Sequence, residues 1–387
     1  MGALLAAWAA WAALQGATVR VSSASQFRDA LRQAKAGDDL VLAAGVYEGG
    51  FYAANLQGTA AKPIRIRGEE IKNPPRLRGG ATPLHFSSAA YLRVENLLLE
   101  DATANGINVD DGGDAKSPSH HIELRRLRIS RIGPKGNHDG IKLSGIEDFV
   151  VEDCVVETWG IGSGSAVDMV GCRRGRLERN EFLNSPESGS GVQAKGGSSE
   201  ITVRSCYFQN AGSRALNLGG STGREYFRPA LEKPPFAEAR NLTVEGNVIV
   251  GSDAAFAFVG VDGATVRFNT IVDPGKWAIR ILQETRDEGF VSCRAGKLAR
   301  NLFIFRSDRW GSGGVNIGPG TAPETFEFVE NYWFCRDQPG RSRPALPGIE
   351  LRGVYGRDPK FQEPEKKGAR PAAGSPAEGY GAAAWKP

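Results

Sequence analysis

One local phrase recurs down this chain, and it limits the fold more than any other feature. A hydrophobic residue, two variable residues, an asparagine, one variable residue and a second hydrophobic residue appear as Leu177-Glu-Arg-Asn-Glu-Phe182, Val244-Glu-Gly-Asn-Val-Ile249, Val266-Arg-Phe-Asn-Thr-Ile271, Leu298-Ala-Arg-Asn-Leu-Phe303 and Phe328-Val-Glu-Asn-Tyr-Trp333. The asparagines are Asn180, Asn247, Asn269, Asn301 and Asn331. Cys154 and Cys206 take their place in two further copies, and Leu97 and Leu127 in two earlier ones. From Leu97 to Asn331 the successive gaps are 30, 27, 26, 26, 41, 22, 32 and 30 residues. A repeat of this period means stacked units that each bury their apolar face on a neighbour. A chain of 387 residues then need not divide into several globular domains, because a stack grows without a closed core.

Within each copy, Val, Ile, Leu and Phe alternate with polar residues in short runs, and Gly, Asn, Asp and Ser separate the runs. That is strand patterning, not helix patterning. The spacing predicts an all-β chain, a right-handed parallel β-helix solenoid whose coils stack at roughly 4.8 Å. Asparagines at one position of every coil would stack inside it, where buried amides bond to one another and to turn backbone. Asparagine also tolerates the left-handed conformation of a sharp turn. Ser25 to Ala36 reads as an amphipathic helix with Phe27, Ala30, Leu31 and Ala34 on one face and Gly37 as its stop, a cap for the first coil. The coils run from about 39 to 335 within a single domain, 18–378, and residues 341–387 form a closing segment and tail.

The start and end carry a resemblance. Ala36-Gly-Asp-Asp-Leu-Val-Leu-Ala-Ala-Gly-Val-Tyr47 is similar to the opening of pectate-lyase-like β-helix proteins, where a capping helix runs into a Gly-Asp strand ending at Gly-x-Tyr. Asp358-Pro-Lys-Phe361 with Arg370-Pro-Ala-Ala-Gly-Ser-Pro-Ala377 resembles their closing segment. The resemblance covers residues 20 to 378 and concerns the fold, which carries lyases, hydrolases, epimerases and adhesins alike.

A second phrase follows each repeat: small, apolar, polar, apolar. It runs from Gly106-Ile-Asn-Val109 through Gly140-Ile-Lys-Leu143, Ala166-Val-Asp-Met169, Gly191-Val-Gln-Ala194, Ala215-Leu-Asn-Leu218, Ala255-Phe-Ala-Phe258 and Ala278-Ile-Arg-Ile281 to Gly314-Val-Asn-Ile317. Strand alternation turns the third residue outward. One sheet should therefore show the column Asn108, Lys142, Asp168, Gln193, Asn217, Ala257, Arg280 and Asn316. Flanking columns begin at Asn105, Asp139, Ser165, Ser190, Arg214, Ala254 and Trp277 on one side, and hold Asp110, Ser144, Val170, Lys195 and Gly219 on the other. A solvated β-face would carry a cross-strand pair such as Lys142 with Asp168 without any function. The cluster Asp139, Lys142, Asp168, Gln193, Lys195, Arg214 and Asn217 reads instead as a site. Three insertions, 110–119, 221–236 and 283–290, leave the same end of this sheet. Such insertions build binding walls in solenoids. In them and beside them Tyr226, Phe227 and Trp277 offer rings for stacking on sugars.

A strip several coils long suits an extended polymer, and basic, polar and aromatic groups together point to an acidic, uronate-containing polysaccharide. β-Elimination from a uronate needs a group to neutralise the carboxylate, a base for the C5 proton and an acid for the leaving oxygen. Lys195 serves as base if Arg214 and Lys142 lie near enough to lower its pKa. Arg214 or Arg280 can fork onto the carboxylate. The stretch Gln193 to Asn210 resembles the lysine-bearing coil of chondroitinase B and the alginate lyases of that family, which implies Lys195 as the base. In that family Glu-x-Glu calcium ligands would fall near Ser188 and Ser190, and the catalytic arginine near Gly219. No cofactor is therefore certain: calcium stays open as a cofactor, although the family's Glu-x-Glu ligands are not seen. His138-Asp139 matches part of the Asp-Pro-His-Asp motif of periplasmic mannuronan epimerases, which implies His138 as a base or carboxylate partner. A hydrolase of polygalacturonase type ranks third, since it needs a carboxylate cluster. A non-catalytic polysaccharide-binding or surface protein is the remaining alternative.

Net charge is +4, with no Lys/Arg block of nucleic-acid type. Residues 1–17 begin with an apolar run of signal-peptide length, Met1 to Leu14, without the usual positive start, and it is short for a membrane span. The expected location is secreted or periplasmic, and the expected working unit a monomer. The five cysteines, Cys154, Cys172, Cys206, Cys293 and Cys335, show no metal spacing. Cys154 and Cys206 read as core thiols, and Cys293 could pair with Cys335.

Overall fold

The computed structural model describes residues 16–362 and 367–386; the segment read as a signal peptide lies almost wholly outside them. The chain winds into a solenoid of three long parallel sheets with 13, 12 and 10 strands. Every strand between the ends of a sheet pairs with the equivalent strand of the coil before and after. Coil winding begins earlier than the repeats suggested. Thr18–Val21, an alternating β-branched run, pairs in parallel with Asp39–Leu42 ahead of the first full coil. It also ends later, at Glu350–Leu351 and Val354–Tyr355.

The helix spans Ala24–Gln33, shorter at its C-terminal end than the apolar pattern suggested. The Ser23 hydroxyl accepts from the Gln26 amide as its N-cap. Ala34 already has extended ψ, so the helix stops before Gly37. Phe27, Ala30 and Leu31 are buried against the first coil, where the Phe27 ring meets those of Tyr47 and Phe51.

Inward positions stack in rows. Ile107, Ile141, Val167, Val192, Leu216, Phe256, Ile279 and Val315 pair one above another along the 10-stranded sheet. All are buried. Each such residue removes roughly 1.5–3 kcal/mol worth of apolar surface from water, and the rows supply the cohesion of the stack.

At the repeating asparagines the amide bridges coils. Asn247, Asn269 and Asn301 donate their backbone N–H to Oδ1 of Asn269, Asn301 and Asn331 respectively, at 2.9–3.0 Å. Their Nδ2 groups donate to carbonyls of the preceding coil, at Val203, Val244 and Val266. The left-handed conformation falls one residue earlier than expected. Asp153, Arg179, Ser205, Phe268, Arg300 and Glu330 all have φ between 52° and 54°, and each directly precedes a column member. A left-handed phenylalanine is costly alone. The amide bonds of Asn269 hold the chain there, so asparagine anchors the turn and its neighbour makes it.

All five cysteines are buried and free, including Cys293 and Cys335. The closing segment pairs Phe361–Gln362 antiparallel with Arg370–Pro371. It then runs back along the outside of the 12-stranded sheet, where Phe361, Ala377, Tyr380 and Ala382 pack on Val272, Leu302 and Tyr332. Among the described residues no helix is long and apolar enough to cross a membrane.

Candidate functional site

The 10-stranded sheet carries the polar strip in the expected register. Asn108, Lys142, Asp168, Gln193, Asn217, Ala257, Arg280 and Asn316 are successive cross-strand partners. The column also reaches two coils further toward the N-terminus than the recurring phrase showed, to His85 and Tyr52. Leu84-His-Phe-Ser87 keeps the apolar-polar-apolar alternation but lacks the small leading residue, so alternation alone would have found it.

The strip's centre is a charge cluster built in depth. Asp139 and Asp168 are each only 1% exposed, beneath Lys142 and Lys195. Lys142 Nζ bonds Asp168 Oδ2 and lies 3.5 Å from Asp139 Oδ2. Lys195 Nζ lies 3.7 Å from the same Asp168 oxygen. Asp139 is fixed on its other side, where Oδ1 accepts the Ser165 amide at 2.8 Å and its own amide donates to Asn105 Oδ1 at 2.9 Å. Burial, with the negative Asp168 beside it, pushes the Asp139 carboxyl up to about 7, against the pull of Lys142 and Lys195. For Lys142 burial opposes the charge, but the Asp168 and Asp139 carboxylates outweigh it and hold the ammonium above its ordinary range. Asp139 and Asp168 thus form the carboxylate pair that the sequence reading did not see, sealed under the lysines. Their burial removes the direct access that hydrolytic acid–base work would need.

The three insertions pack into one wall over this cluster. Arg228 Nε donates to Asp111 Oδ2 at 2.7 Å, joining the second insertion to the first. Phe227 is buried and packs edge-on against Phe290, which also meets Phe236, joining the second to the third. Phe227 is therefore an anchor of the wall and turns no face to a sugar. Glu238, fully buried, ties the wall to the strip. Its carboxylate accepts from the Gly196 amide at 3.0 Å, the Thr222 amide at 2.9 Å and hydroxyl at 2.8 Å, and the Thr285 hydroxyl at 2.5 Å. Gly171 and Gly197, at φ of +61° and +90°, let Arg228 lie flat on the coil turns. A Cβ on Gly171 would stand 2.2 Å from that of Arg228.

Between strip and wall lies a cleft of about 440 Å³, lined by Lys142, Ser144, Lys195, Thr222, Tyr226 and Arg228 among others. Tyr226 is exposed at its mouth. A larger groove, about 620 Å³, lies between Arg131, Trp159 and Pro186. Its arginine is already paired with Asp101 and Glu100, and it gathers no comparable set of chemical groups. Arg228 and Glu238 escaped the sequence reading because their contacts join segments far apart in the chain and follow no period.

Downstream the strip changes character. Arg214 leaves its strand opposite Ser190, five positions before Lys195, roughly 16 Å of strand. It does not flank Lys195 as expected. Its guanidinium donates to Asn217 Oδ1 at 3.2 Å and to Glu284 Oε1 at 2.7 Å. Arg280 donates to Asn316 Oδ1 at 3.1 Å, and both Arg280 and Lys276 sit 4.4 Å from the centre of the Trp277 ring. Gln193 is half-buried and accepts from the Ser165 hydroxyl at 3.3 Å, while Asn217 is buried. His138 turns the other way from Asp139: a Cβ on Gly133 would lie 2.4 Å from that of His138, and one on Gly136 would lie 3.4 Å from its ring. The ring thus packs on the 133–136 turn. Ser188 and Ser190 are buried, and the Ser188 hydroxyl donates to the Trp159 carbonyl at 2.9 Å. Hydroxyls there do not fit calcium, which prefers carboxylate oxygens.

Residues 84–294 match the family described as "Right handed beta helix region". No curated protein matches the sequence. Among solved structures, an alginate lyase from Paenibacillus sp. str. FPU-7 is similar, with a TM-score of 0.54 at 19% identity over 77% of this chain and 99% of that one. The Dettilon tailspike protein is similar with a TM-score of 0.50 at 13% identity, over 85% of this chain and 64% of that one. A PL6 family polysaccharide lyase from Pseudopedobacter saltans is similar with a TM-score of 0.49 at 14% identity, over 95% of this chain and all of that one. At these identities the likeness is one of fold.

Proposed function

The chain belongs to the right-handed β-helix family, and from that premise we propose that it cleaves an acidic, uronate-containing polysaccharide by β-elimination in the cleft between strip and wall. The observation that carries the reading is the pair of ammonium groups on Lys142 and Lys195, set over the buried Asp168 carboxylate and facing a cleft walled by Tyr226 and Arg228. Buried acids beneath and cations above make a surface whose outer layer is positive, and this suits a polyanion.

The roles divide by contact. Lys142 is bound most tightly and keeps its charge, so it and Arg228 neutralise the uronate carboxylate and stabilise the carbanion-like charge that develops there. Lys195, more loosely held at 3.7 Å, takes the C5 proton after its ammonium has given one proton to solvent. The C5–H electron pair becomes the C4–C5 double bond, and the C4–O bond breaks. The proton now on Lys195 passes to the leaving oxygen. Tyr226 stacks on a sugar ring at the cleft mouth. No step runs through a metal. A polymer of this kind is met outside the cytoplasm, in keeping with export directed by residues 1–17.

The test is an ultraviolet absorbance assay for unsaturated uronate with alginate, polygalacturonate and glycosaminoglycans. Absorbance should rise on at least one polymer, and no rise on any of them overturns the lyase reading. The burial of both carboxylates favours one second reading, binding without turnover. In that case Lys195→Ala would weaken binding with no activity to lose.

A further inference from the structure

The polar column does not stop at the cleft. From Lys142 it continues in register through Asn108 and His85 to Tyr52. Beside it Ser144, which lines the cleft, pairs with Asp110, and Asp110 with Ser87. The surface from the lysines to Tyr52 is therefore one continuous face, three ladder steps or roughly 14 Å long.

The groups on it are arranged. His85 Nε2 lies 2.6 Å from Asp110 Oδ2, and Asn108 Nδ2 donates to the same oxygen at 2.9 Å. Asp110 Oδ1 accepts the Gly112 amide at 2.9 Å. His85 Nε2 also lies 2.8 Å from Asn108 Nδ2 and 3.3 Å from the Ser87 hydroxyl, so the strip engages this one ring nitrogen and leaves Nδ1 for a ligand. The Tyr52 ring stands edge-on to the imidazole, 5.0 Å between centroids, and Tyr52 remains 60% exposed. A large aromatic held this far into water on a polar strand is the arrangement that takes a sugar face, with a fixed imidazole beside it for a hydroxyl.

We propose that Tyr52 and His85 form an outlying carbohydrate subsite of the cleft, with Tyr52 stacking on a sugar ring and His85 Nδ1 hydrogen-bonding its hydroxyl. The subsite rests on the reading that the cleft holds an acidic polysaccharide. Its occupant must extend about 14 Å beyond Lys142, so the subsite serves long chains and leaves disaccharides untouched.

The experiment measures binding by calorimetry, independent of turnover, using alginate and polygalacturonate as polymers and as disaccharides. The proteins are the wild type, Tyr52→Ala, Tyr52→Phe, His85→Ala and Lys195→Ala. Tyr52→Ala should weaken polymer affinity about five- to tenfold, the size of one aromatic stacking contact. His85→Ala should weaken it by a smaller factor, and Tyr52→Phe should keep it. Disaccharide affinity should stay unchanged in all three. Equal losses on polymer and disaccharide, or no loss for Tyr52→Ala while Lys195→Ala weakens binding, overturns the subsite alone. Failure of the wild type to bind either polymer overturns the subsite together with the functional reading beneath it.

Discussion

At Lys142 and Lys195 the counter-charge lies underneath, whereas at Arg214 it lies alongside and at Arg280 the partners are neutral. Asp168 is 1% exposed and holds its lysines from below, so their ammonium groups point outward with nothing acidic in front of them. Glu284 is 36% exposed and meets Arg214 at the surface, and Arg280 is spent on Asn316 and Trp277. Both stretches belong to one column of one sheet, and both are rich in cations. They differ in which layer holds the anion. A buried carboxylate orients a cation without occupying its outer face, while a surface carboxylate satisfies the cation and competes with an anionic ligand.

That contrast can be broken experimentally. The largest effect should come from Lys195→Ala, which removes the proposed base and should lower kcat/KM by about a thousandfold. Arg214→Ala should lower it by less than about tenfold, since its fork is already filled. Kinetics on one polymer, with circular dichroism to confirm folding, decide between these. Similar losses from both would erase the distinction.

Stability gives the second contrast. Asp168→Asn leaves two lysines over a neutral group and should cost about 3 kcal/mol in denaturant unfolding. Glu284→Gln breaks an exposed pair and should cost about 0.5 kcal/mol. Equal costs would mean that both anions serve the fold in the same way.

A third test uses pH. The Asp139 carboxyl titrates near 7 when folded and near 4 when unfolded. Between those values the folded chain holds the extra proton, so this group's contribution to stability is full below about 4 and is lost as pH rises through about 7. Thermal unfolding across that window should show the decline, and Asp139→Asn should flatten it. An unchanged slope in the variant would place the titration elsewhere. The smallest effect belongs to Arg280→Ala, where activity should stay within about threefold of wild type.

Much of this was legible in the sequence. The repeated asparagine phrase gave the phase of the coils, and the phase gave which residues share the outer face, down to the pairing of Lys142 with Asp168 and Gln193 with Asn217. Three things were not legible, each for a physical reason. Turn conformation fell on the residue before each column member, before leucine and cysteine as well as asparagine, because the column side chain itself points into the coil. The three insertions were visible as leaving one end of the sheet, but their fastenings at Arg228, Asp111 and Glu238 join segments that no local pattern connects. The depth of the site was invisible for the same reason: alternation says which way a side chain leaves the sheet, not what later covers it.

The central claim is that the cleft over Asp168 receives the polymer. A crystal structure of the Lys195→Ala protein with an acidic oligosaccharide tests it most directly. A sugar carboxylate within hydrogen-bond reach of Lys142 or Arg228, with a ring against Tyr226, is the expected result. An oligosaccharide seated in the Arg131–Trp159 groove, or along Arg214 and Arg280 with the cleft left empty, would contradict it.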